Sequence, residues 1–376
     1  MAKGNPWSIL HVTKPEIDLD PSIDLYDDRV YATGARSLRT LMEEGVLKQD
    51  AEPHFYFYRQ IMGDHSQTGL MACASIEDYE KDVIRKHEFT RKDKEQDRIR
   101  HIEADNAQVG PVFLTYPDVP GVTAIAQRVC SAEPEYDFAA PDGVRHTLWI
   151  VQDPADSISI QALFADVPCL YVADGHHRSA AATIVGQRRR AASPSHTGLE
   201  EYNYFLAVIF PKSHMQILPY NRVVSDLNGL SGEQFLERLR GSFGVQECGS
   251  EPAPQSRQFS MYAGGRWYLL EALPGSFPAG DPVGSLDVSI LQGNLLGPVL
   301  GIDDPRTSKR INFIGGIRGT AELVRLVDGG KYAVAFSLSA TTMDQLLSVA
   351  ASGNVMPPKS TWFEPKLRSG LVIHVL

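Results

Sequence analysis

An acid, a glycine, two histidines and an arginine stand together as Asp174, Gly175, His176, His177 and Arg178, followed by Ser179 and an alanine-rich run. The preceding CLYVA reads as a short apolar strand and the following SAAATIV as a helix, so DGHHR occupies a strand-to-helix turn. A helix start offers unpaired N–H groups and the positive end of the dipole. Gly175 permits close backbone approach, and Arg178 with the two histidines adds donors suited to phosphate oxygens. The pattern points to an anion or nucleotide site. Asp174 has the wrong sign for an anion and suits instead a Mg²⁺ that accompanies phosphates, or the orientation of a histidine. The plainer alternative is an N-cap aspartate beside packing histidines, but five such residues at one helix start favour the anion site. A zinc set is the weaker reading, because adjacent histidines point in different directions on a helix and no third ligand stands at a known spacing.

Two more segments carry reactive side chains. In RKHEFT (85–90) Glu88 follows Lys86 and His87, and a carboxylate so placed can serve as general base for a hydroxyl if it reaches the proton. The charged run RKDKEQDRIR just after it reads as a solvated helix face. In NVMPPKSTWFEPKLRSG (354–370) a Pro-Pro turn presents Lys359, Ser360 and Thr361, followed by aromatics and by Lys366 and Arg368; the alternative is a loop that only closes the core. Neither GxxxxGK[ST] nor GxGxxG occurs, which removes the P-loop and Rossmann explanations for a phosphate site.

The elements that must position these groups are of mixed order. HFYFYRQIMGDHSQTGLMACASI (54–76) alternates like two strands about a Gly-containing turn, and IEDYEKDVIRKHE continues with apolar residues at helical spacing. PVFLTYP, HTLWIVQD and CLYVADG are further strands, and SAAATIVGQRRR is a helix ending in cations. ASPSHTG (192–198) is the linker candidate, dividing the chain into 1–195 and 196–376. Beyond it come the strands YNYFLAVIF and MQILPYNRVV, a hairpin about Gly264-Gly265, and the helix TMDQLLSVAASG. Hairpins and isolated helices without steady alternation favour an α+β fold.

With 376 residues, 43% hydrophobic and 22% charged, the chain has the composition of a globular protein large enough for two cores. A formal charge of −10 argues against nucleic acid as the main partner, since phosphates are gripped by a surplus of Lys and Arg. No apolar run approaches the ~20 residues of a membrane span, and MAKGNPWSILHV has no signal-peptide core, so the expected location is cytoplasmic. Cys73, Cys130, Cys169 and Cys248 are scattered without a CxxC pair.

Taken together, the three reactive segments resemble those of the ParB/sulfiredoxin-like free-serine kinases of archaea. DGHHRSAA resembles their DGHHRxA loop, KHE the motif bearing their catalytic glutamate, and PPKST their serine-side loop. Over nearly its whole length the chain also resembles domain-of-unknown-function family 1015, with HEFTRKDKEQDR, ILPYNRVV, GGIRG and MPPKSTWFEPKLRSG as the shared features. The resemblance implies a ParB/sulfiredoxin-like nucleotide-binding core with an added N-terminal hairpin region and a C-terminal α/β domain closing the substrate site. It further implies transfer of a phosphoryl group from ATP or ADP, with Mg²⁺, to the hydroxyl of free L-serine. By resemblance Glu88, Asp174 and His177 are catalytic, with Glu16 of TKPEIDL the alternative base; Gly175, His176, His177, Arg178 and Ser179 bind the nucleotide. Asp174 holds the metal, and Lys359, Ser360, Thr361 and Arg368 bind serine. A homodimer is compatible with this reading. The competing class is a ParB-like nucleotide switch without kinase activity, which calls for a basic face that the net charge does not favour. A sulfiredoxin-like reductase is set aside because the phosphate loop has His176 and no cysteine.

Overall fold

The computed structural model describes residues 2–88 and 90–376; Phe89 of HEFTRKDKEQDR lies outside the described residues. The chain forms two compact units, one of Met1–Met215 with Pro365–Leu376 and one of Gln216–Glu364. Both mix helices with sheet, as the α+β expectation has it.

The first unit is built on strands β1 (Tyr56–Met62), β2 (His65–Ser75), β3 (Ile84–Arg85), β4 (Ala107–Gln108), β5 (Val112–Tyr116), β6 (Tyr136–Ala139), β7 (Arg145–Ile150), β8 (Leu170–Asp174) and β9 (Tyr204–Pro211). Eight of them form one sheet in the order β3-β8-β5-β9-β2-β1-β7-β6. Strands β5 and β9 are parallel neighbours near its middle. Both are almost continuously buried, as VFLTY and YFLAVIFP require of strands covered on both faces. Strand β6 is exposed along its length and ends the sheet. The hairpin of residues 54–76 forms as expected, Met62 pairing with His65 across a two-residue turn in which Gly63 takes a φ of +57°. It is not an added region, however: β1 and β2 sit inside the sheet between β9 and β7. Ile76, Leu114, Val172, Ala181, Val185 and Ala207 are among the core residues on one side of it.

IEDYEKDVIRKHE departs from its helical spacing. Ser75 caps a short helix, Ile76–Glu80, which ends before Asp82 takes a left-handed φ of +55°. The chain then forms β3, leaving His87 and Glu88 on a loop. The charged run does become a helix, Lys92–Asp105, with Ile99 and Ile102 buried. Residues 192–198 lie within the first unit. There Glu200 holds the loop by accepting from the amides of Thr197 (2.6 Å) and Gly198 (2.9 Å).

In the second unit six strands run in the order Phe243–Cys248, Arg266–Ala272, Gln258–Ala263, Val334–Leu338, Tyr220–Val224 and Ile311–Gly315. Every pairing in this sheet is antiparallel, so the unit is α+β and not the α/β domain expected; its hairpin turns at Gly264-Gly265 favour neighbouring antiparallel strands over crossovers. Helix Met343–Ala351 opens with a capping box between Thr342 and Gln345. Among the described residues no helix is long and apolar enough to cross a membrane, and all four cysteines are free thiols.

Candidate functional site

Strand β8 ends at Asp174, Gly175 takes a φ of +94° as N-cap, and the helix His176–Ala192 begins at once. The turn favours glycine for that φ, which L side chains rarely adopt; space alone would admit a Cβ. Gly175 donates its N–H to Asp174 Oδ1 at 2.8 Å, and its carbonyl accepts from the amides of Arg178 (2.8 Å) and Ser179 (3.0 Å). The amides of His176 and His177 have no such backbone acceptor among the described residues, as expected of a helix start.

The side chains of the turn diverge. His176 is buried, only 5% exposed, with Nε2 lacking a hydrogen-bond partner. Burial lowers its pKa well below the ordinary histidine value, and the nearby His87 and His177 add to this. His177 accepts a hydrogen bond at Nε2 from the Arg91 amide at 3.0 Å and so secures the start of helix Lys92–Asp105. Ser179 is turned back on its own helix, donating to the His176 carbonyl at 3.1 Å, and is fully buried. Arg178 lines a cavity of about 40 Å³ together with Arg98, His101, Asp105, Gln108 and Gly110. Its one hydrogen bond among the described residues is to the Gly110 carbonyl, at 3.3 Å. Burial, and next the charge of Arg98, lowers its guanidinium to about 10. A half-buried arginine without a carboxylate within ion-pair distance is a group suited to an anion.

Asp174 faces a residue to which the sequence assigned no role. Its Oδ2 accepts from Lys366 Nζ at 2.7 Å, and Lys366 comes from the segment Pro365–Leu376 that returns to the first unit. That segment is fixed by Gln60 Nε2 donating to the Lys366 carbonyl at 2.9 Å and by the Gly370 amide donating to the Val109 carbonyl at 2.9 Å. Arg368, on the same segment, pairs with Asp142 and reaches His146 Nε2 at 3.5 Å. His146 in turn shares a 2.6 Å hydrogen bond with the Tyr58 hydroxyl.

The parallel pairing of β3 with β8 brings the second motif to the first. Ile84 is opposite Leu170 and Arg85 opposite Tyr171, so residues 86–88 leave the sheet beside residues 172–174. His87 is 2% exposed, its ring edge-on to His176 with centroids 4.5 Å apart. Burial lowers its pKa to about 4, against smaller upward pulls from the Val172 backbone and Asp174. Glu88 is exposed, and its carboxylate lies within 4.8 Å of ring nitrogens of both histidines. Glu16, in the turn Pro15–Asp18, is not in this cluster. The 86 positions between Glu88 and Asp174 are thus spanned by two adjacent strand ends.

Lys359, Ser360 and Thr361 belong to the second unit. Lys359 takes a φ of +60°, and its carbonyl accepts from the buried Arg222 at 3.0 Å. Its ammonium lies 5.5 Å from the centre of the Tyr220 ring. The Ser360 hydroxyl donates to the Pro357 carbonyl at 2.6 Å, which closes the loop and occupies that hydroxyl.

The sequence profile of a family described as protein of unknown function, DUF1015, matches residues 1–289. The chain belongs to this family. Among solved structures, this DUF1015 protein is similar to a free serine kinase in complex with AMP (12% identity, 80% of this chain and 91% of that one, TM-score 0.41). It is similar also to a conserved hypothetical protein from Pyrococcus furiosus (12%, 80% and 94%, 0.39) and to C-terminally truncated SbnI from Staphylococcus aureus (11%, 81% and 87%, 0.43). No curated protein matches the chain.

Proposed function

We propose that this DUF1015 protein is a nucleotide-dependent kinase of a small alcohol, transferring a phosphoryl group from ATP or ADP to the hydroxyl of free L-serine. The observation that carries the reading is the meeting of Glu88 with the DGHHR turn across the β3–β8 pair, a juxtaposition of an acid and a helix start. The motif resemblance supports the choice of serine. Phosphoryl transfer asks mainly for alignment and for neutralisation of charge on the transferred group. The amides of His176 and His177 and the guanidinium of Arg178 meet the phosphates, and Lys366 exchanges Asp174 for a phosphate oxygen. Asp174 then offers the single carboxylate that a Mg²⁺ held mostly by phosphate and water requires, and the ion would supply further charge neutralisation. The serine oxygen bonds to the terminal phosphorus as the bond to the leaving nucleotide breaks, and Glu88 takes the hydroxyl proton. His177 acts by holding the loop after Glu88 in place. Arg368, which belongs to the same unit, is assigned to the amino acid's carboxylate.

Incubation with L-serine, Mg²⁺ and each of ATP, ADP and CTP, with phosphoserine read by mass, is the direct test. Glu88→Gln keeps nucleotide affinity while turnover falls by roughly 10²-fold or more. Arg178→Ala weakens nucleotide binding on the order of 10–100-fold, the worth of a charged hydrogen bond. No phosphoserine with any donor overturns the reading, and nucleotide binding without turnover leaves a switch in its place.

A further inference from the structure

We propose that His87, Glu88 and His176 form a binding site for a divalent transition-metal ion of the class that prefers imidazole with one carboxylate, such as Zn²⁺. The three side chains come from two chain segments, yet one ligand atom of each lies within 4.8 Å of the others. Nε2 of His176 and the ring nitrogen of His87 that does not face the Val172 backbone are sealed from solvent with no hydrogen-bond partner among the described residues. Leaving a buried polar atom unsatisfied costs about 1–3 kcal/mol, so two buried imidazoles with orphaned nitrogens, each offering one ligand atom beside a carboxylate, call for a missing partner. An ion bound by two histidines and one carboxylate, with a position left open, is a known zinc arrangement.

The supporting elements are rigid where ligands must be held and open where an ion must enter. His87 leaves the sheet two residues after the Arg85–Tyr171 pair, and His176 occupies the first turn of a seventeen-residue helix. Glu88 is exposed, which gives the ion a route to the buried imidazoles. Bonds of about 2.0–2.1 Å bring two ligand atoms to roughly 3.4 Å of each other, so the set closes by about an ångström or a little more. The site is separate from Asp174, whose carboxylate holds Lys366.

This inference shares Glu88 with the kinase reading and deepens it: one carboxylate oxygen goes to the ion while the other remains for the acceptor hydroxyl. The test therefore uses neither nucleotide nor serine. The full chain is stripped with chelator and titrated with Zn²⁺ by calorimetry and with Co²⁺, whose visible absorption reports nitrogen and oxygen ligation. One equivalent is expected to bind, and His87→Gln, Glu88→Gln and His176→Asn each weaken it at least tenfold. If His176→Asn fails to fold by circular dichroism, the exposed Glu88→Gln still decides. Absence of stoichiometric binding to the wild type, or a Co²⁺ spectrum unchanged in folded His87→Gln and Glu88→Gln, overturns the site. Phosphoserine formation, measured apart, tells that failure from failure of the kinase reading.

Discussion

Asp105 shows how much a single side chain's surroundings can alter. Burial pushes its carboxyl up to about 7, against the pull of Arg98, and its Oδ1 is sealed without a donor. The folded protein thus keeps this proton to a higher pH than the unfolded chain does. Between roughly pH 4 and pH 7 stability falls as pH rises, and above that range the penalty stays constant. Asp105→Asn removes the titration. It is expected to melt like the wild type at pH 3, below the unfolded pKa, and above it at pH 8, by about 1 kcal/mol or more, roughly 2–4 °C for a unit of this size. Equal melting at pH 8 would refute it. Nothing in the sequence marked this residue, which closes a charged helix and looks solvated. DGHHR was legible because its residue types cluster within five positions, and Glu88 because its motif resembles a known one. Lys366 was visible as a cation, but its partner stands 192 positions away.

At the level of elements, the helix that follows DGHHR depends on one close approach. A Cβ on Gly186 would lie 2.4 Å from both Ile76 Cδ1 and the Tyr202 carbonyl oxygen. The helix cannot shift away without disturbing the DGHHR turn at its start. Gly186→Ala is expected to destabilise by about 1–3 kcal/mol, read as a lower denaturant midpoint, although alanine is the better helix former. A midpoint at or above that of the wild type would show that the helix has room to move. Local pattern revealed both two-residue hairpins and this helix, because alternation and periodicity are properties of adjacent residues. It misread IEDYEKDVIRKHE, where Ile76, Tyr79 and Ile84 are buried as a helical spacing suggests while Asp82 breaks the helix between them. Only the pairing of β3 with a strand some 86 residues on makes that segment extended.

At the scale of the whole molecule, the first unit is discontinuous, with the second inserted between Met215 and Pro365. Composition gave no sign of this, since ASPSHTG has a linker's residues but forms a loop held by Glu200. A chain lacking residues 365–376 loses Lys366 and Arg368, the Val109–Gly370 hydrogen bond and the partner strand of β4. Hydrogen exchange is expected to speed up in β1, β2 and β4 of such a chain while the six-stranded sheet of the second unit keeps its protection. Unchanged exchange in β1 and β2 would show that the returning segment does not hold the sheet.

The same discontinuity sets an order on the ribosome. Synthesis at 5–20 residues per second leaves roughly 7–30 s between the emergence of residue 215 and that of residue 365. Throughout that interval the nascent first unit lacks the lysine that neutralises Asp174 and the backbone that covers Gln60 and Gln67. The inserted unit, contiguous in sequence, is free to fold in the meantime, so the later half of the chain matures before the earlier half. The DGHHR turn is made early in translation and completed last.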